Sequence, residues 1–333
     1  MQRVLSFLLA VALAMTLSLV AFAQDEKEAK TALYNKFTEA YNRAKEIKKA
    51  DTNLAQPANL AAYEKAAKEA YDFAKEYVQK YPTEDDAIAR FQKKYVGDYE
   101  AAQKQGRKVK LKELIEAKKF DESFALGKQI LADEPDDLIT LYMLSRAGLF
   151  SAHSGNEAHS AATANHARKA IQLMQAGGAL PNEAKDESLG VLNFALGLTT
   201  IRTSPREAVD AFKQVATLAN SAKGDPQTFY FLGAAYEAAE YDKASADYKT
   251  QCATPEQVAS PSCKTLLDVV NATVDRIIDA YARAVSLSGT NAKFATPKVE
   301  WMKQLTDYYK FRHDGTEQGL NELIASITSK PLP

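Results

Sequence analysis

The sequence predicts an all-α protein, and three observations carry that expectation. Only 14 Gly and 11 Pro occur in 333 residues, too few for the many tight turns of an all-β chain. Alanine is abundant, and Lys, Glu, Leu and Gln, which helices favour, fill most of the rest. Apolar side chains recur at helical spacing along nearly the whole length. A hydrophobic content of 46% excludes wholesale disorder. The 42 basic and 43 acidic side chains leave a formal charge of -1, so the electrostatic footprint of a nucleic-acid binder is missing.

The first segment, residues 1–23, has the layout of a secretory signal peptide. Arg3 supplies a positive charge, and Val4 to Val20 is apolar apart from Ser6, Thr16 and Ser18. Ala21-Phe22-Ala23 is a small-x-small cleavage pattern, and the chain turns polar at Gln24. Cleavage is expected after Ala23; an uncleaved membrane anchor is the competing reading. Nothing later approaches the run of about eighteen apolar residues that a span needs. The mature protein is therefore expected in the periplasm or outside the cell, without stable membrane insertion. In such an oxidising compartment Cys252 and Cys263, the only cysteines, are expected to form a disulfide. Closing so short a loop contributes about 3 kcal/mol.

Residues 24–104 contain two sets of helical offsets, Tyr34, Phe37, Thr38 and Tyr41, then Ile88, Phe91, Gln92 and Tyr95. Between them lie Ala67, Tyr71 and Ala74. Residues 105–290 open with a poor helix at Arg107 to Lys118, with only Leu111, Leu114 and Ile115 to bury. Ser123, Gly127 and Ile130 follow, stopped by Pro135, and Asp136-Asp137 offers an N-cap to Leu141, Leu144, Ser145 and Gly148. The stretch His153 to Asn165 reads as a lengthened turn before Ala167, Ile171 and Met174. Leu196-Gly197 precedes Ala208, Phe212 and Val215. The clearest set is Phe229, Leu232, Gly233 and Tyr236. Tyr241 to Ala244 then looks like an inter-helix turn leading to Tyr248, with one continuous long helix as the alternative. Ile277, Tyr281 and Ala284 close this region.

Residues 291–333 read as two capping helices. Thr296-Pro297 would start the first, with Val299, Met302, Leu305 and Tyr309 as its stripe and Trp301 as packing. A turn at His313 to Gly315 leads to Leu320, Leu323, Ile324 and Ile327.

These offsets resemble the tetratricopeptide repeat (TPR) family, a helix-turn-helix unit of about 34 residues. In that pattern a small residue lets two helices approach and a bulky one fills the groove beside it. Departures are plain. The family's tryptophan is missing in every unit, and Thr38 and Gln92 replace its glycine, so the N-terminal units are degenerate. The resemblance implies a right-handed superhelical solenoid of antiparallel helix pairs with a C-terminal helical cap.

The sequence offers no nucleophile elbow, zinc-protease helix, phosphate loop or Cys-x-x-Cys. His159 and His166 could share a helix face with Glu157 nearby, but read as solvated histidines on a polar loop; Ser154 beside His153 has no acid to orient a base. No catalysis, cofactor or metal is expected. The resemblance places the first helices of each unit on a concave face, which would carry Tyr142, Phe194 and Tyr230 as an aromatic ladder. Arg146 and Glu237 would lie one turn further along. The expected function is an exported scaffold or adaptor that binds a protein or peptide in that groove, possible envelope assembly included. The alternative is a glycan- or small-ligand-binding protein using the ladder, and an enzyme is the least favoured reading.

Overall fold

The structure is a computed structural model. It describes the backbone of residues 2–49 and 56–333 and the side chains of residues 25–49 and 56–333. The expected signal peptide and the cut after Ala23 lie outside the residues whose side chains are described. Every regular element among the described residues is a helix, as composition predicts. Among these residues no helix is long and apolar enough to cross a membrane. The chain forms two compact units, the first running to Gly106 and the second from Arg107 to Pro333.

In the first unit α1 (Gln2–Lys49) packs against α2 (Pro57–Lys80). Ala66, Ala67, Ala70 and Ala74 make one smooth face on α2, which seats Phe37, Ala40 and Ala44 of α1, while Leu33 packs with Tyr77 and Ala89. Helix α3 (Ala87–Glu116) starts where Asp86 Oδ1 accepts from Ala89 N at 2.8 Å. Phe37 meets Tyr41, Phe91 and Tyr95 ring to ring at 5.4–5.7 Å. Phe91 itself remains 43% exposed, whereas its neighbour Gln92 is fully buried.

Helix α3 has no break at Arg107: the expected separate helix over Arg107 to Lys118 is the last third of one continuous helix. Pairs such as Lys94–Asp98 and Lys110–Glu113 line its polar surface and add to its helical stability. Leu111 and Leu114 are buried.

The second unit continues with α4 (Phe120–Asp133), α5 (Leu138–His153), α6 (Ser160–Gln175), α7 (Lys185–Thr200) and α8 (Pro205–Thr217). Each packs against the next, and α5 also touches α7. Asp137 caps α5 by accepting from Thr140 N at 3.0 Å. The turn after α5 is shorter than expected, because α6 already begins at Ser160. Asn156 Oδ1 accepting from Ala158 N tightens that turn.

Helix α9 (Pro226–Tyr236) runs without a turn through one π-helical segment, Glu237–Tyr241, into α10 (Asp242–Gln251). The inter-helix turn expected at Tyr241 to Ala244 is therefore not formed, and the continuous alternative is the observed one. Helix α10 buries no side chain. The bridge Cys252–Cys263, with Cα atoms 5.8 Å apart, joins its end to the start of α12 (Pro261–Ser288), across the short α11 (Pro255–Val258). It is α12, not α10, that packs beside α9.

A Cβ on any of five helical glycines would meet a side chain within 3 Å: Gly127 meets Leu144, Gly190 meets Asn220, and three more lie between paired helices. A Cβ on Gly148 of α5 would lie 1.7 Å from Thr163 Oγ1 of α6. On Gly197 of α7 it would lie 2.7 Å from the Phe212 ring of α8, and on Gly233 of α9 2.5 Å from the Tyr281 ring of α12. Each helix of the series α5, α7, α9 thus receives one side chain of its partner into a gap only glycine leaves.

Helix α13 (Ala295–Arg312) and α14 (Leu320–Ser326) follow. Leu305, Tyr309, Leu320 and Ile327 are buried against α12 and its neighbours. Thr296 does not cap: α13 starts one residue earlier, after a 3-10 turn at Ala292–Phe294. Val299 leaves the expected stripe and stands 72% exposed, while Trp301 takes the buried place.

Candidate functional site

The expected ladder residues fall in two different cores. Tyr142 on α5 is 6% exposed and lies with Leu141, Leu189 and Leu192. Burial, with hydrogen-bonded Glu183 adding, pushes its phenol above the usual range. Phe194 on α7 is 7% exposed and belongs to the core of α8, α9 and α12. Tyr230 is half-buried. Phe231, which sequence reasoning passed over, fills the gap at 6.0 Å from Phe194 and 5.3 Å from Tyr230. The three aromatics are thus not presented side by side on an open face. Arg146 is exposed and sits 5.6 Å over the ring of Phe150.

Tyr230 and Glu237 are brought together, with partners from two other helices. The Tyr230 ring stacks on Trp301 of α13 at 5.2 Å and on Tyr281 of α12 at 5.8 Å. Its hydroxyl is hydrogen-bonded to Gln304. Glu237 opens the π-helical segment, and its Oε1 accepts from Tyr281 Oη at 2.8 Å. Tyr308 of α13 is hydrogen-bonded to the same carboxylate, and its ring meets Tyr241 at 5.3 Å. A π turn shifts the side chains after it relative to a regular helix, and such turns recur at functional sites.

Burial raises the Glu237 carboxyl above its ordinary 4.5, with Asp242 acting the same way against the two phenol hydrogen bonds. Burial and the neighbouring carboxylate also push the phenols of Tyr281 and Tyr308 well above the usual range. The arrangement holds a carboxyl whose burial favours its neutral form, ringed by the buried phenol of Tyr281, the half-buried phenols of Tyr230 and Tyr308, and one amide, Gln304, whose Oε1 has no partner. It gathers acceptors and aromatic faces, and none of these groups is an activated nucleophile.

Further along the π-helical segment, Glu240 forms an ion pair with Arg276 of α12, and Thr273 of α12 hydrogen-bonds to both. The histidines behave differently from this cluster. His159 Nε2 sits 2.7 Å from Asp121 Oδ1, and its ring stacks on Phe124 at 4.1 Å. His166 lies 6.0 Å from the same ring. Both rings lie beside Phe124, but His159 is the residue before α6 and only His166 is in that helix, and Glu157 pairs with Arg202 instead of joining them. Among the described residues no group of three or more metal-ligating side chains occurs. Phe231, Tyr308 and Gln304 belong to this cluster and are not among the residues the sequence pattern picks out. The Phe229-Tyr230-Phe231 and Tyr308-Tyr309 runs were the available signal. Comparison with family models, with curated proteins and with solved structures gives no match for this chain.

Proposed function

We propose that the chain is an exported, non-catalytic adaptor of TPR-type helix pairs, and that it binds a protein or peptide through surface side chains of α5 and α9. One observation carries this reading. The seats of Gly148 on Thr163, Gly197 on Phe212 and Gly233 on Tyr281 repeat a single packing unit, as stacked helix pairs do. Such stacks act through the side chains their helices present. Arg146 beside the 46% exposed Phe150, and the half-buried Tyr230 and Glu237, are of that kind. The disulfide fits an oxidising compartment, which supports export. A sugar-stacking role loses its basis, because Tyr142 and Phe194 are core residues.

Crosslinking with mass spectrometry in the organism of origin tests the proposal. The expected result is a reproducible protein partner whose crosslinks map to α5 and α9 and are lost in Arg146→Glu and Tyr230→Ala. Absence of a reproducible protein partner, or crosslinks indifferent to both substitutions, overturns it.

A further inference from the structure

Arg283 of α12 is a charged side chain in an unusual position, 6% exposed and lying over the Phe229 ring at 5.9 Å. A buried guanidinium requires a full set of partners. Asp279 supplies the charge, accepting from Nε at 2.6 Å. Nη2 reaches Asp279 Oδ2 only at 3.3 Å and makes its shorter bonds elsewhere. It donates to two successive main-chain carbonyls, Lys330 O at 3.0 Å and Pro331 O at 2.7 Å.

The segment so held, residues 330–333, follows the 3-10 turn Ile327–Ser329 in an extended conformation, with Lys330 at φ -89 and ψ 151. Pro331 and Pro333 have no N–H and favour this polyproline-like form, so carbonyls are the groups left for recognition. Lys330, Pro331 and Pro333 are exposed, and only Leu332 is half-buried. It lies beside a groove of about 400 Å³ lined by Ala216, Thr217, Gly224, Phe229 and Leu287, which the segment leaves partly unfilled. On its other side Lys330 borders a second groove with Asp275, Asp279 and Glu322 in its wall.

We infer that this groove is a binding site for an extended, proline-containing peptide with a basic and an aliphatic residue, and that segment 330–333 is its built-in, displaceable occupant. Main-chain carbonyl recognition by Arg283 accepts any extended backbone. In the acidic wall Asp279 and Asp275 are already paired with Arg283 and Arg312, so Glu322 is the carboxylate that favours a cation at the place of Lys330. The apolar floor selects an aliphatic side chain at the place of Leu332. A segment that buries part of only one side chain is held chiefly by its high effective concentration. A ligand that also fills the vacant part of the groove displaces it. None of Arg146, Tyr230 or Glu237 takes part, so the inference stands apart from the adaptor reading.

The test uses the full chain and an amidated, dye-labelled peptide of sequence Thr-Ser-Lys-Pro-Leu-Pro. A variant carrying Pro331→Gly and Leu332→Ser loosens the internal segment. Fluorescence anisotropy is expected to show at least about tenfold tighter peptide binding by this variant than by the wild type. Adding Arg283→Gln should abolish binding. Adding Gly224→Trp should do so without touching the buried arginine, since a Cβ at Gly224 meets nothing within 4 Å. Circular dichroism melts check that each variant is folded, and the Gly224→Trp arm decides the matter if Arg283→Gln is not. Equal binding by wild type and variant, no binding at millimolar peptide, or indifference to Gly224→Trp overturns the inference. A dimer formed by exchange of segments between copies overturns it as well.

Discussion

At the scale of single residues, the sequence sets where a side chain sits on its helix but not which neighbour it meets. Tyr142, Phe194 and Tyr230 were placed by register on successive helices, and register cannot show that Phe231 closes the gap between two of them. Glu237 was legible as a charge beside an aromatic stripe, whereas its two phenol partners come from α12 and α13, far along the chain. Its proton affinity gives a direct test. The folded carboxyl titrates above its unfolded value, so its contribution to stability is fully present in acid and is lost as pH rises through the raised value. Glu237→Gln keeps an oxygen acceptor for Tyr281 and removes the charge. The variant should match the wild type near about pH 4 and melt higher than it near about pH 8. A stability difference that does not change with pH would show that burial does not perturb this group. Gln92 makes a second case. It stands where the family pattern has a small residue, is fully buried, and neither amide atom has a partner. An unpaired buried amide costs about 1–3 kcal/mol, so Gln92→Leu, similar in size, should raise the urea midpoint. A loss of stability comparable with that of Gln92→Ala would refute this account.

Elements were more legible than contacts wherever a local signal existed. The Leu196-Gly197 and Leu232-Gly233 pairs marked helices that do receive a partner side chain, and Asp137 does cap α5. Two misread elements, the Arg107 to Lys118 segment and the Tyr241 to Ala244 run, share one feature: the helix continues where the local pattern predicts a break. Tyr241 to Ala244 carries an aspartate that looks like a cap, yet the backbone absorbs the transition as a π turn and stays helical. The true partner of α9 then comes from beyond the disulfide, which spacing within one repeat does not foretell. The glycine seats predict their own mutational response. Gly197→Ala sets a methyl group 2.7 Å from the fully buried Phe212 ring, which has no free volume to move into. Overpacking of this kind costs about 1–3 kcal/mol. Gly106→Ala, in the interior of α3 with nothing within 4 Å, should instead gain roughly 0.5–1 kcal/mol. Thermal melts of the two variants should therefore move in opposite directions. A common direction would mean that helix propensity, not the seat, governs both positions.

For the whole molecule, the near-equal acid and base counts set what the surface can attract. The 42 basic side chains are matched by 43 acidic ones, and the structure pairs many of them locally. Lys68–Asp72, Lys80–Glu76 and Lys303–Asp307 lie on single helices, while Arg168–Glu207 and Arg312–Asp275 bridge neighbouring ones. Exposed pairs contribute only about 0–1 kcal/mol each to stability. Their larger effect is to cancel the field that a polyanion would feel, because counterion release needs several unpaired cations acting on one backbone. The protein should accordingly leave duplex DNA unshifted in a gel at micromolar concentration and about 0.15 M salt, where a basic binder of similar size retards it. Its melting temperature should also change little between about 0.05 M and about 0.5 M salt, since the paired charges are mostly exposed and already screened. A DNA shift that disappears with added salt would reveal a concentrated basic surface and would contradict the dispersed pairing. Selectivity for any partner must then arise at particular places, such as the acidic wall beside Lys330 or the Glu237 carboxylate among its phenols, because the molecule as a whole offers no attraction by sign.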